Sequence, residues 1–224
     1  MRKILILICV IALVMSCGSK PQKSPNFLFG SKLYSNFVNY YLKGEPRLAE
    51  MAFASAENQF LRMDAMCNLS RIYIGRFVLD EGGEEESGLS KARAYATLGE
   101  CQSEIEAIKY LSDENYDKKL LPDPYAQIAG ADKKTLVELT DDKKMANYTK
   151  TRLLRNVAIG YLVSNPTKSE ELANKALVID RFNGWSLNIL RDLIIIKTSR
   201  EKIGKNNEDI NKRIKLIKAS LNKK

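Results

Sequence analysis

Reactive side chains are scarce in this 224-residue sequence, and the missing ones are as informative as those present. It contains no histidine, so the side chain that most often serves as a general base near neutral pH is lacking. No Gly-rich phosphate loop and no Ser/Lys pair at helical spacing takes its place. Asp80, Glu81, Glu84, Glu85 and Glu86 gather in one stretch, but their spacing is not that of an EF-hand calcium loop. A solvated acidic loop is the simpler reading, and the three glutamates before Ser87 also suit the positive end of a following helix. Four cysteines remain: Cys9, Cys17, Cys67 and Cys101. The two in the body of the chain, Cys67 and Cys101, cannot without histidine complete a four-ligand zinc site unless carboxylates join them. The chain is therefore expected to be no enzyme and to hold neither metal nor cofactor.

Cys17 stands at a compositional boundary. Arg2 and Lys3 give a positive start, Ile4 to Met15 form an unbroken apolar run, and Ser16 is small. That order is the pattern of an export signal, and the run is shorter than the about 20 residues needed to span a bilayer. Val14-Met15-Ser16-Cys17 resembles the lipobox of bacterial lipoproteins, in which the cysteine thiol receives a diacylglyceryl group and the chain is cut just before it. The resemblance implies that residues 1–16 are a signal peptide and that Cys17 becomes a lipidated N-terminus. Fatty chains such as palmitate would hold it in the membrane, each buried methylene contributing about 0.8 kcal/mol. It also implies a cell-envelope location, expected on the periplasmic side of the outer membrane. A signal cut elsewhere and an uncleaved anchor are the competing readings. Residues 17–26, rich in Gly, Ser, Lys and Pro, read as a flexible tether.

From residue 27 onward apolar residues recur at helical spacing, and no stretch alternates as a strand does. The expected fold is all-α, with residues 27–204 as one helical domain. Phe27 to Leu42 predicts a first helix stopping at Gly44, and Pro46 opens an alanine-rich second. A long helix is expected from Asn58 to Leu79, then the acidic loop, then a second long helix from Leu89 to Leu111. Folding this pair antiparallel about position 84 sets Phe60 against Ile108, Met63 against Ile105, Cys67 against Cys101, Ser70 against Leu98 and Ile74 against Ala94. Ala94, Leu98, Cys101, Ile105 and Ile108 also form one helical stripe. Export would put Cys67 and Cys101 in an oxidising compartment, where they either form a disulfide or remain two buried free thiols.

Residues 113–134 lose regularity at Leu121-Pro122-Asp123-Pro124 and at Gly130. They form either a plain connection or the wall of a groove, with Tyr116 and Tyr125 as candidate partner contacts. Asp132 is expected to cap a short helix ending at Leu139, and Asp141 or Asp142 to cap the next. Ile74-Gly75-Arg76-Phe77-Val78 and Ile159-Gly160-Tyr161-Leu162-Val163 occupy similar places late in two helices. The stretch from Glu171 to Trp185, which contains Lys175-Ala176-Leu177 and Asp180-Arg181-Phe182-Asn183, resembles the junction between two tetratricopeptide repeats, with Arg181 where that family has proline. The resemblance implies helix hairpins stacked as a short solenoid that acts as a scaffold for a partner protein. It places Trp185 in the first turn of a helix, packed near Leu172, Ala176 and Leu177; the alternative makes Trp185 an exposed binding anchor.

The net charge of +9 is located at the ends of the chain: Arg2 and Lys3, and residues 197–224, where ten Lys/Arg face three acidic residues. Residues 205–224 read as a basic amphipathic helix with Lys212, Arg213, Lys215 and Lys218 around an apolar stripe of Ile210, Ile214, Ile217 and Leu221. It either caps the helical stack or meets anionic headgroups or an acidic partner. An envelope location argues against nucleic acid. The expected function is a lipid-anchored interaction scaffold with an envelope protein partner. The alternative is a transporter-associated or small-ligand-binding accessory lipoprotein, with a pocket between helices near Tyr116 to Gly130.

Overall fold

The computed structural model describes residues 24–80 and 86–222. Among them all regular structure is helical, as expected, with no strand. The acidic cluster from Glu81 to Glu85 and Cys17 with its surrounding motif lie outside the described residues.

Helix α1 (Pro25–Leu42) begins where Ser24 Oγ accepts the Phe27 amide at 3.2 Å, and a proline fills its first position. It pairs with α2 (Pro46–Leu61), whose Ala49, Ala52 and Ala56 are buried and let the two helices approach closely. Helices α3 (Met66–Leu79) and α4 (Glu86–Leu98) pack together, and α5 (Gln102–Leu111) folds back on both. After a short 3-10 turn come α6 (Tyr125–Ile128) and α7 (Lys133–Leu139); the Asp132 carboxylate caps the latter, accepting the Thr135 amide at 2.7 Å. The final four are α8 (Asn147–Tyr161), α9 (Pro166–Asn183), α10 (Ser186–Lys202) and α11 (Glu208–Leu221), each in contact with the next.

Several helix boundaries differ from the expectation. The two long helices are each two: the first breaks at Arg62–Ala65 and the second at Gly99–Cys101. Both breaks carry a left-handed residue, Asp64 at φ +52 and Glu100 at φ +52, followed by an amide that reaches back to the preceding helix, Ala65 to the Phe60 carbonyl and Cys101 to the Ala96 carbonyl. This is the Schellman closure, usually supplied by glycine. It recurs at Gly44, Gly184 and Gly204, where Glu45, Trp185 and Lys205 bond back to Tyr40, Asp180 and Arg200. Because α4 stops at Leu98, the expected stripe does not exist as one face: Leu98 is 71% exposed and Ala94 is exposed, while Ala92 and Ala96 point inward. The stop between α9 and α10 is Gly184, since α9 runs through Asp180 to Asn183. Nor does Asp141 or Asp142 cap a helix; Asp142 closes a turn onto the Lys144 amide, and α8 starts five residues later.

Two cores result. The first gathers Phe37, Phe53, Phe60, Leu69, Tyr73, Ala92, Ala96 and Ile108 from α1 to α5, with Phe53 set edge-on to both Phe37 and Tyr73. The second gathers Leu154, Val157, Leu172, Ala176, Leu193, Ile196 and Ile210 from α8 to α11. Trp185 is buried, but its neighbours are not those expected: it belongs to the first core, and its indole N–H donates to Asn39 Oδ1 at 3.3 Å. Helix α10 accordingly packs on α1.

Candidate functional site

The segment between α5 and α7 is held to the helices by specific bonds. Glu106, buried, accepts the Asp117 amide at 2.7 Å and the Lys109 ammonium at 2.7 Å, and these bonds hold its carboxyl below the usual range. The Lys118 ammonium donates to the Ala129 carbonyl at 2.7 Å, closing the loop over α6. Between this loop, α3, α5 and α8 lies a cavity of about 150 Å³.

Its apolar wall comes from Val78, Leu111, Pro124, Ile128 and Leu153, and its aromatic wall from Tyr110, Tyr125 and Tyr148. The rings of Tyr110 and Tyr125 lie 5.8 Å apart, and Tyr116 sets its ring edge-on to Tyr110 at 5.3 Å. The polar wall belongs to α8, whose Tyr148, Arg152 and Asn156 recur every fourth residue, with Thr149 beside them. Burial pushes the Tyr125 and Tyr110 phenols up, and in both the Arg152 charge opposes the rise. From α1 the Tyr34 hydroxyl approaches Gly75, which lines the cavity. A side chain at Gly75 would put its Cβ 1.8 Å from the Tyr34 hydroxyl, so glycine there admits the phenol, and burial pushes its pKa well up.

Next to this cavity, polar groups run across the contact between the two cores. Tyr41 donates to Asp80 at 2.7 Å, and its phenol is pushed up to about 12, first by burial and then by that bond. Arg191 donates to the Leu79 carbonyl and to Asn188 Oδ1, and Asn188 donates to Asp180. Arg155 in turn reaches Asp180 at 2.8 Å and Asp192 at 3.4 Å. Asp180 and Asp192 are both fully buried, and burial is the first cause raising each carboxyl, to about 9 for Asp192. One guanidinium faces two carboxyls, so a proton retained on Asp192 balances the charge and supplies a donor toward Asp180.

Cys67 and Cys101 are joined as a disulfide, with Cα atoms 5.5 Å apart. They meet at the second helical position of α3 and the residue before α5, so the expected pairing holds although the helices around it are broken. Glu104 is close to both sulfurs; its carboxylate is taken by Arg71 and by the Ser103 hydroxyl. Tyr116 and Tyr125 come together around Tyr110, whereas Lys212, Arg213, Lys215 and Lys218 lie on α11. There Lys212 pairs with Glu208 at 2.6 Å, Lys215 and Lys218 are exposed, and Ile210, Ile214 and Ile217 face the second core. A wide open groove of about 970 Å³ follows α4 and the end of α5, lined by Phe77, Leu89, Arg93, Ala94, Leu98 and Leu111. Sequence reasoning pointed to Tyr125 but missed Tyr110, Tyr148 and Arg152. The available signal was the series Tyr148, Arg152 and Asn156 at helical spacing on α8.

No protein-family model matches the chain, no curated protein is significantly similar to it, and no solved structure matches it.

Proposed function

We propose that this chain is a lipid-anchored envelope protein, held by Cys17, that works as an interaction scaffold built from tetratricopeptide-like helix hairpins. The observation that carries this reading is the groove along α4, where Leu98 is exposed beside Phe77, Leu89 and Leu111 and is flanked by the Arg93–Glu114 ion pair. An apolar strip with charged margins suits an amphipathic segment of a partner protein. The repeated helix turns support the repeat reading, and the Cys67–Cys101 bridge fits an oxidising compartment. The test is photo-crosslinking in intact cells from a reactive side chain at position 98. One envelope protein is expected as adduct, and it disappears when exposed Ala94 becomes arginine; a smear of unrelated adducts, or none, refutes the scaffold. A second reading, a small-ligand-binding accessory protein, is favoured by the cavity beside Tyr125.

A further inference from the structure

We infer that the end of the α1–α2 hairpin bearing Leu28, Phe29 and Leu61 is a membrane-docking surface, seated among the lipid headgroups of the bilayer that holds Cys17. This rests on the lipid-anchored reading above and adds which face of the molecule meets the membrane.

Both helices build this end. The Phe27 ring stands edge-on to Phe60 at 6.2 Å, and the Gln59 side-chain amide donates to the Asn26 carbonyl at 3.4 Å, so the first turn of α1 lies against the last turn of α2. Along α1, Gly30 and Phe37 turn inward, while Leu28, Lys32 and Ser35, at i, i+4 and i+7, form the outward face with Phe29 beside it. Polar residues belong on such a face, yet Leu28 and Phe29 are each 54% exposed and Leu61 is 44% exposed. One exposed leucine needs no account, since much of any protein surface is apolar. Three large apolar side chains at one tip, two of them adjacent, form a small wedge.

Chain length says what covers it. Seven residues, 18 to 24, separate Cys17 from Pro25. Even fully extended they hold the start of α1 within about 29 Å of the lipidated cysteine. A few side chains would not keep a free protein on a bilayer, but the tether makes the contact intramolecular, so a weak contact is filled. A wedge of this kind enters the headgroup boundary by about 5 to 10 Å. Lys32 and Arg62 are exposed beside it, with Asp64 two residues farther, which leaves a positive margin for anionic headgroups. The other end of the hairpin lies about 21 Å farther along α1, so seating the wedge holds that end clear of the lipid. The basic face of α11 is not part of this surface: Leu221, at the C-terminal end of α11, lies over Gly44, at the far end of the hairpin.

The experiment places one tryptophan at the wedge, Phe29→Trp, or at the far end, Leu48→Trp, where the native leucine is 44% exposed at the start of α2. The full lipidated protein is reconstituted into vesicles of phosphatidylethanolamine and phosphatidylglycerol whose acyl chains carry bromine near the headgroup, a contact quencher. Relative to unbrominated vesicles, the emission added by Phe29→Trp is expected to fall at least twofold. That added by Leu48→Trp, and that of buried Trp185, should not change. If mass spectrometry finds the acyl group on Cys17 and Phe29→Trp is not quenched, the inference is overturned while the anchored reading stands. Equal quenching at both positions overturns it too, since the hairpin then has no preferred end toward the lipid. A blue shift of Phe29→Trp that grows with protein density, without quenching, means that a second copy covers the wedge and overturns it as well. If Cys17 carries no acyl group, the anchored reading falls and takes the inference with it.

Discussion

Asp192 shows how one buried group sets a pH dependence. Its folded pKa is raised to about 9 by burial, whereas an unfolded chain releases that proton near about 3.9. Between those values the folded state holds a proton the unfolded state has lost, so rising pH favours unfolding. The stabilisation is complete below about pH 4 and is gone once the pH has passed through the folded pKa. The melting temperature is therefore expected to fall from pH 6 to pH 9, where the depressed carboxyls of Glu106 and Glu170 are already ionised and contribute no slope. Asp192→Asn, whose amide also donates toward Asp180, should flatten that decline; an equally steep decline in the variant would show that Asp192 does not cause it. Trp185 makes a second prediction. It is 8% exposed, sits in the first core and bonds Asn39. Its emission should be blue-shifted and poorly quenched, and Trp185→Ala should cost about 3 to 5 kcal/mol in a denaturant titration. Water-exposed emission with an unchanged midpoint would contradict this placement.

Among the helices, the turns carry more information than the spacing of apolar residues. Four junctions share one form, a left-handed residue followed directly by the N-cap of the next helix: Gly44–Glu45, Asp64–Ala65, Glu100–Cys101 and Gly184–Trp185. Where glycine supplies the left-handed residue, the stop at Gly44 was legible in the sequence. Where aspartate or glutamate supplies it, apolar periodicity ran straight through the break, because an acidic residue in this conformation leaves no compositional mark. The all-helical class, the α1–α2 hairpin and the α7 cap were legible because each rests on local chemistry: proline, glycine and a capping carboxylate. The cavity was legible only in part, since Tyr125 lies in a conspicuous loop, whereas Arg152 becomes part of the site only when α8 meets α5. Glutamate in a left-handed conformation is strained by roughly 1 to 2 kcal/mol. Glu100→Gly should therefore raise stability by about 0.5 to 1 kcal/mol, read as a higher urea midpoint at unchanged slope. One residue later, Cys101 closes a loop with Cys67 across 34 positions. Its replacement by alanine, with Cys67 also changed to alanine, should cost about 2 to 4 kcal/mol on the chain-entropy account. Two titratable thiols in the denatured, unreduced wild-type protein would show that the bridge is absent.

At the scale of the whole molecule, three contacts tie the last helices to the first ones. Trp185 reaches Asn39, Arg191 reaches the Leu79 carbonyl, and Leu221 lies over Gly44 so closely that a Cβ there would be 2.1 Å from its Cδ2. The two cores are thus expected to unfold together: Trp185 fluorescence and far-UV circular dichroism should give coincident denaturation curves. Separated transitions would mean that the contact between the cores adds little to cooperativity. Trp185 also has a consequence in time. The first core is built from residues 37 to 108 except for this one ring, which the ribosome adds much later. At roughly 5 to 20 residues per second, the interval between residues 111 and 185 lasts about 4 to 15 s. Throughout it the N-terminal helices lack a member of their own core. For the export proposed above, which needs an unfolded chain, supplying that ring late postpones completion of the fold.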